Sequence, residues 1–108
     1  MIQAEFYCND DNNIIHFNIS GHAGYDNYGK DIVCAAVSML VINTINSIGS
    51  LTDAVFKMRE DEERGEIDFI LEKFDDKAFL LLDSLRLGLE NIQQMYEDYL
   101  SISIRREP

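Results

Sequence analysis

The segment DIVCAAVSMLVINTINSIG, residues 31–49, largely decides which fold this chain can adopt. Asp31 is a typical helix N-cap and Gly49 a typical C′ residue, so the sequence predicts a helix from Ile32 to about Ile48. Apolar side chains occupy nearly every side of this helix, and such a helix is buried on more than one face. In a chain of 108 residues, a sheet can cover only one of those faces. We therefore expect the other face to meet a second copy of the chain in a homodimer.

The residues before this helix alternate between apolar and polar side chains. Residues 2–8 and 14–20 each predict a strand, and the polar stretch 9–13 between them predicts a hairpin turn. The core-facing side chains of the second strand are expected to be Ile15, Phe17 and Ile19. The opposite, polar face is expected to carry Ile14, His16 and Asn18, with His16 solvated. Cys8 alternates inward and is expected in the core.

The residues after the helix complete the sheet. Residues 55–59 and 66–72 predict two strands joined by a charged turn, in which Gly65 can adopt positive φ. A second helix is expected to begin near Asp75 or Asp76 and to end before a last edge strand over 100–104. Its apolar stripe has spacings of three and four: Ala78, Leu82, Leu85, Leu89, Ile92, Tyr96 and Tyr99.

This order predicts an α+β two-layer sandwich, strand-strand-helix-strand-strand-helix-strand, with a mostly antiparallel sheet and both helices on one face. Residues 1–108 are expected to form a single domain, because no linker, repeat or low-complexity tract interrupts them.

The formal net charge of −11 would repel phosphate backbones, so we expect no direct binding to nucleic acid. An acidic surface steers a basic partner toward itself, although it also simply keeps a small protein soluble. No signal peptide is apparent in MIQAEFYCND, and polar residues after Ile42 are expected to interrupt the apolar run before it could span a bilayer. We therefore expect a cytoplasmic protein with no membrane contact.

The two cysteines, Cys8 and Cys34, show no spacing that is typical of a zinc site. We expect no structural disulfide, no metal and no cofactor.

A histidine and a cysteine flank the glycine-rich loop between the second strand and the first helix. His22 follows the strand, and Cys34 falls in the first helical turn. The amides of that turn and the helix dipole stabilise a thiolate, and an imidazole brought across the loop could accept its proton. Free amides beside Cys34 could also hold an oxyanion. The arrangement favours a cysteine hydrolase, whereas the structural alternative is that Cys34 only fills space in the core.

Neighbouring polar residues each allow two interpretations. Asp31 would cap the helix by accepting an amide, or it could orient His22. Ser38, one turn after Cys34, could donate to the sulfur or the substrate, or could bond to the carbonyl of Cys34. Tyr25 and Tyr28 could cover a substrate or only pack the loop.

The blocks G-H-A-G-Y (21–25) and G-K-D-I-V-C-A-A-V-S (29–38) resemble the ribosomal-processing cysteine protease family. The resemblance implies a homodimeric cysteine endopeptidase in which Cys34 is the nucleophile and His22 the general base. Its substrate would be the N-terminal peptide of a basic large-subunit ribosomal protein, number twenty-seven, whose short extension is removed during ribosome maturation. That extension ends in aromatic residues followed by a small one.

The same resemblance gives roles to other residues of the motif. Gly24 and Gly29 would belong to a mobile loop that admits the peptide and then closes. Gly21, Asp31 and Ser38 would support the site or contact the substrate.

Two alternatives stay open from the sequence. The first is a non-catalytic ribosome-assembly module that binds a basic ribosomal peptide in the same groove. The second is a thiol redox sensor, in which Cys8 would have to approach Cys34 in space.

Overall fold

The computed structural model describes residues 1–27 and 30–107, and its five strands and two helices follow the predicted order. The elements are β1 (Ile2–Cys8), β2 (Ile14–Ser20), α1 (Ile32–Leu51), β3 (Val55–Asp61), β4 (Glu66–Lys73), α2 (Asp76–Met95) and β5 (Leu100–Arg106). The strand order in the sheet is β3-β4-β2-β1-β5. Neighbouring strands are antiparallel except for β1 and the edge strand β5, which run parallel. The predicted α+β class is confirmed.

One apolar core lies between the sheet and the two helices. The sheet contributes three fully buried aromatic rings, Phe6, Phe17 and Phe69. Helix α2 contributes five buried members of its predicted stripe: Ala78, Leu82, Leu85, Leu89 and Ile92. Tyr96 and Tyr99 lie beyond the end of α2 and are only half-buried, so the stripe is longer than the helix. Cys8 is buried as predicted.

A β-bulge changes which side of β2 faces the core. Tyr7 lies opposite His16, but the next residue, Cys8, lies opposite Ile14, so Ile15 is the extra residue. Because each residue added to a strand reverses its facing, Ile14 becomes buried, at 1% exposure, whereas Ile15 is half-buried. The predicted facing is therefore wrong for these two residues, and it is confirmed for the buried Phe17 and Ile19.

Helix α1 is longer than predicted. Gly49 lies within it, and the helix ends at Leu51, so the assignment of Gly49 as the C′ residue is wrong. The C-cap residue is Thr52 instead. Its hydroxyl donates to the carbonyl of Ile48 (2.8 Å) and accepts from the amide of Ala54 (3.1 Å). A side chain that bonds the last carbonyls can thus end a helix without a left-handed glycine.

Much of α1 faces away from the core. Only 33% of its most apolar window is buried, and its exposed side includes Ile32, Met39 and Ile42. By length and composition, α1 is also the one helix within the described residues that could cross a membrane, so the expectation that polar residues would prevent this is wrong. In this fold, one side of α1 packs into the core through five apolar residues: Val33, Val37, Val41, Ile45 and Ile48.

The two helices approach closely where Leu40 of α1 meets Gly88 of α2. A Cβ atom on Gly88 would stand 2.9 Å from a methyl carbon of Leu40. A Cβ atom on Gly49, in contrast, would make ordinary contacts of 3.7 Å with the ring of Phe56. Both glycines are costly for a helix, but only Gly88 leaves space that a neighbouring side chain fills.

These two glycines should therefore respond differently to substitution. Gly49→Ala should raise the free energy of unfolding by roughly 0.5–1 kcal/mol, because alanine favours the helix and fits. Gly88→Ala should raise the free energy of unfolding by less than Gly49→Ala does, because its Cβ atom would stand close to Leu40. Gly88→Leu should lower the free energy of unfolding by about 1–3 kcal/mol through overpacking against Leu40. Urea unfolding monitored by circular dichroism measures all three. Equal gains for the two alanine variants would contradict this account of the helix contact.

Candidate active site

Asp31 joins the start of α1 to the loop that precedes it. One carboxylate oxygen, Oδ1, accepts hydrogen bonds from the amides of Val33 and Cys34, both at 3.0 Å, which confirms the predicted N-cap. The other oxygen, Oδ2, accepts from the amides of Tyr25 (2.9 Å) and Asp26 (3.4 Å). A single buried carboxylate therefore fixes the loop relative to the helix.

The environment of Asp31 stabilises its charged form. Burial opposes the negative charge, but four backbone hydrogen bonds outweigh that effect and lower the pKa of Asp31 below its ordinary value of 3.8. The carboxylate is therefore ionised at neutral pH, and it satisfies amides that would otherwise lack a partner inside the helix.

Cys34 is half-buried in the first turn of α1, and its sulfur accepts a hydrogen bond from the amide of Ala23 at 3.2 Å. The prediction that the first-turn amides beside Cys34 are free is wrong. Asp31 Oδ1 occupies the amides of Val33 and Cys34, and the Asp31 carbonyl accepts from the amide of Ala35. The donor that faces the sulfur therefore comes from the loop and not from the helix.

His22 is exposed, and its ring lies against the turn between β3 and β4. The point where a Cβ atom of Gly65 would stand is 2.9 Å from His22 Cε1 and 3.2 Å from Nε2. Within the described residues, the ring makes no hydrogen bond to Cys34. The structure thus places the histidine and the cysteine at one site without pairing their side chains.

Both residues line a cavity of about 640 Å³ between α1 and the end of the sheet that carries the β3–β4 turn. Seven apolar residues are among those that line it: Ile2, Ile19, Ala35, Val37, Val41, Ile42 and Ile67. Six residues with carboxylate side chains also line it: Asp26, Asp31, Glu60, Asp61, Glu62 and Glu66. The cavity therefore offers an apolar surface beside a strongly acidic one, with the Cys34 sulfur between loop and helix.

The other predicted site residues lie around this cavity. Gly21 has φ +89°, and a Cβ atom there would stand 2.6 Å from the carbonyl oxygen of Met1, so only glycine fits. Gly24 has φ +72° and open space around it. Ser38 lines the cavity, and its hydroxyl makes no hydrogen bond to the carbonyl of Cys34 among the described contacts, so that interpretation is wrong. Gly29 lies outside the described residues.

Tyr25 packs the loop onto the end of α2. Its ring meets Tyr96 and Tyr99 edge-on, with centroid distances of 5.5 and 5.1 Å. The packing interpretation therefore describes Tyr25, whose side chain stays 42% exposed. Tyr28, for which the sequence allows the same two roles, lies outside the described residues.

Sequence reasoning missed a polar network on the open face of the sheet. His16 was expected to be solvated, but it is half-buried, bonded to Asp68 (2.9 Å) and Glu107 (3.2 Å), and stacked on Tyr7. Asn18 also donates to Asp68, and these bonds outweigh burial to lower the pKa of Asp68. The partners are distant in sequence, so alternation alone could not reveal them.

Comparison with known proteins defines the class. A model of the family described as cysteine protease Prp matches residues 1–101. The ribosomal processing cysteine protease Prp of Bacillus subtilis is 31% identical over 108 residues, covering 95% of this chain and 96% of the relative.

Two solved structures share the fold. An essential ribosomal processing protease Prp from S. aureus, in complex with a covalently linked product peptide, matches with a TM-score of 0.92 and 27% identity, covering 96% of this chain and 99% of its own. SMU.848 from Streptococcus mutans matches with a TM-score of 0.84 and 32% identity, covering 99% of this chain and 96% of its own.

The fold is that of a cysteine protease, a hydrolase, and Cys34 lines its cavity. The chain belongs to the cysteine protease Prp family, which confirms the resemblance seen in residues 21–38. The alternative of a non-catalytic module is thereby set aside in favour of an enzyme.

The lowered pKa of Asp31 makes a prediction for stability. Asp31→Asn keeps an oxygen for the helix amides but loses the acceptor for the loop amides, and should lower the free energy of unfolding at neutral pH by about 1–3 kcal/mol. Because the folded pKa is the lower one, the wild-type advantage is present above about pH 4 and is lost as the pH falls through the folded value. Urea unfolding across this pH range measures the difference. Asp83→Asn, on the exposed side of α2, is the control. A difference that does not change with pH would contradict the assignment.

Proposed function

We propose that this protein is the endopeptidase that removes the short N-terminal extension of a basic large-subunit ribosomal protein, number twenty-seven, with Cys34 as nucleophile and His22 as general base. The observation that carries the proposal is the placement of His22 and the Cys34 sulfur on one cavity, in a chain of this protease family. The relatives named as ribosomal processing proteases support the substrate.

The proposed reaction begins when His22 accepts the thiol proton of Cys34 and the sulfur attacks the scissile carbonyl carbon. The new S–C bond forms as the carbonyl π electrons move to oxygen, and the amide C–N bond then breaks with the His22 proton passing to the leaving amine. Water, deprotonated by His22, hydrolyses the thioester and restores the thiol. No metal or cofactor is required by these steps.

His22 must turn toward the sulfur for the first of these steps. The Ala23 amide that bonds the sulfur follows directly after His22 in the chain, so the His22 backbone already lies beside Cys34. Rotation of the imidazole away from the β3–β4 turn, accompanied by closure of the glycine loop on substrate, would complete the pair. The same Ala23 amide could hold negative charge on the sulfur as the proton leaves.

The walls of the cavity fit the proposed substrate. Its apolar part, which includes the exposed Ile42 and the half-buried Ile67, suits the aromatic residues before the cleavage point. Ala35, exposed beside the sulfur, leaves room for the small residue. The carboxylates in and beside the β3–β4 turn, Glu60, Asp61, Glu62 and Glu66, attract the basic residues that follow. The net charge of −11 speeds encounter with a basic protein at low salt.

The dyad gives a direct test. Cys34→Ala and His22→Ala should each lower the cleavage rate of a peptide with two aromatic residues and a small residue before a basic tail by at least about a thousandfold, since each removes a participant in the bond-breaking step. Mass spectrometry locates the cut, and circular dichroism checks the fold. Cys8→Ala, at the buried second thiol, is the matched control and should retain activity.

Two other outcomes of this assay would contradict the proposed function. Cleavage at the wild-type rate by Cys34→Ala would refute the nucleophile. If the wild-type protein binds the peptide and never cuts it, the alternative of a ribosome-assembly module that holds a basic peptide would replace the protease proposal.

We also propose that two copies of the chain associate through the exposed side of α1, in the cytoplasm where ribosomal proteins are assembled. Ile32 and Met39 are 53% and 64% exposed on this side of the helix. Ile42, which is 42% exposed, lies where this side meets the cavity. Apolar side chains grouped in this way are typical of a subunit interface.

The proposed dimer can be tested by size. Met39→Glu should convert a particle of twice the monomer mass into a monomer, because burying an unpaired carboxylate in the interface is costly. Ile70→Glu, at a residue that is 43% exposed on the open face of the sheet, should leave the dimer intact. Sedimentation velocity measures both. A wild-type protein that sediments as a monomer would contradict the proposal.

A further inference from the structure

The turn between β3 and β4 touches His22 at a residue without a side chain. Gly65 has φ +59°, and its missing Cβ would stand 2.9 Å from His22 Cε1 and 3.0 Å from the carbonyl oxygen of Gly21. A contact of 2.9 Å cannot persist, so a side chain at position 65 would displace the imidazole ring, which is free to rotate. The contact with the Gly21 carbonyl oxygen needs a backbone shift of only a few tenths of an ångström.

Strand pairing brings these residues together. In the antiparallel pair of β2 and β4, Ile19 lies opposite Ile67. Continuing the same register by two residues in each strand places Gly21 opposite Gly65. The sheet therefore holds the β3–β4 turn against the backbone that leads into His22, although the two segments are far apart in sequence.

We propose that Gly65 is a positioning residue for His22. The inference rests on the proposed role of His22 as general base. Within the described residues, no hydrogen bond holds the imidazole, so its position depends on the surfaces around it, and Gly65 forms the surface at the tip of the ring. The space above Gly65 lets the ring lie on the cavity wall, from which it turns to Cys34 without leaving the site.

Catalysis is sensitive to this surface because it holds the ring in the position from which His22 turns to Cys34. A ring displaced from that position would reach the sulfur in a smaller share of encounters. Misplacement by about 1 Å can lower a rate roughly a hundredfold. A side chain at position 65 should therefore reduce kcat and leave the binding of peptide, measured through KM, within about twofold.

The test is a double-mutant cycle between Gly65 and His22. Gly65→Ala should lower kcat for the peptide by about ten- to a hundredfold, and should slow alkylation of Cys34 by iodoacetamide at mildly acidic pH. In the His22→Ala background, the same Gly65→Ala change should leave the alkylation rate unchanged, because there is no imidazole to displace. Peptide mapping distinguishes Cys34 from Cys8.

Controls separate this contact from backbone strain. Gly65→Asn also adds a Cβ atom, but asparagine tolerates the left-handed backbone, so it should behave like Gly65→Ala with less loss of thermal stability. Asn12→Ala introduces the same kind of strain at φ 63°, in the β1–β2 hairpin turn, and should lower thermal stability without changing kcat. The NMR signal of the His22 Cε1 proton should move with both Gly65 variants and stay in place with Asn12→Ala.

Each result distinguishes this inference from the proposed function. If His22→Ala is inactive and both Gly65 variants keep the wild-type kcat and His22 signal, the inference about Gly65 is refuted and the dyad stands. Equal slowing by Gly65→Ala with and without His22 would also refute it, because the effect would then not pass through the imidazole. If His22→Ala cuts the peptide at the wild-type rate, the proposed dyad itself fails.

Discussion

The Asp31 carboxylate accepts four backbone amides, two from the first turn of α1 and two from the preceding loop. Since Cys34 lies in that first turn and His22 at the start of that loop, this carboxylate fixes the parts of the chain that carry the proposed dyad. Its burial would be unfavourable without these bonds, and together they keep it charged. The negative charge of Asp31, although close to Cys34, thus serves to hold the loop backbone against the first turn of α1.

This capping also changes how the cysteine is to be understood. A thiol at a helix start is commonly thought to benefit from unpaired amides, but the amides of Val33 and Cys34 are already occupied here. The hydrogen bond to the sulfur comes from Ala23, in the loop. The environment of the proposed nucleophile therefore depends on the loop conformation. A change of loop position on peptide binding would also change the hydrogen bonding of the Cys34 sulfur.

The sheet supplies the other half of the site. Pairing of β2 with β4 brings the acidic β3–β4 turn to the end of β2, where the loop begins. The cavity is consequently apolar where Ile2, Ile19 and α1 line it, and acidic around the β3–β4 turn, where Glu60, Asp61, Glu62 and Glu66 lie. This division suits a peptide with apolar residues on one side of the cleavage point and basic residues on the other, as proposed for the ribosomal substrate.

The sequence by itself determined the element order, the Asp31 cap, the stripe of α2 and the short motif from Gly21 to Ser38, because periodicity, capping and motif spacing are local properties. It failed at Ile14, where a bulge reversed the facing, and at Gly49, where Thr52 ended the helix instead. Only the tertiary structure decided which groups contact each other: Ala23 with the Cys34 sulfur, and Gly65 with His22. These contacts join segments that only strand pairing and helix packing bring together, and the sequence pattern of either segment alone carries no record of its partner.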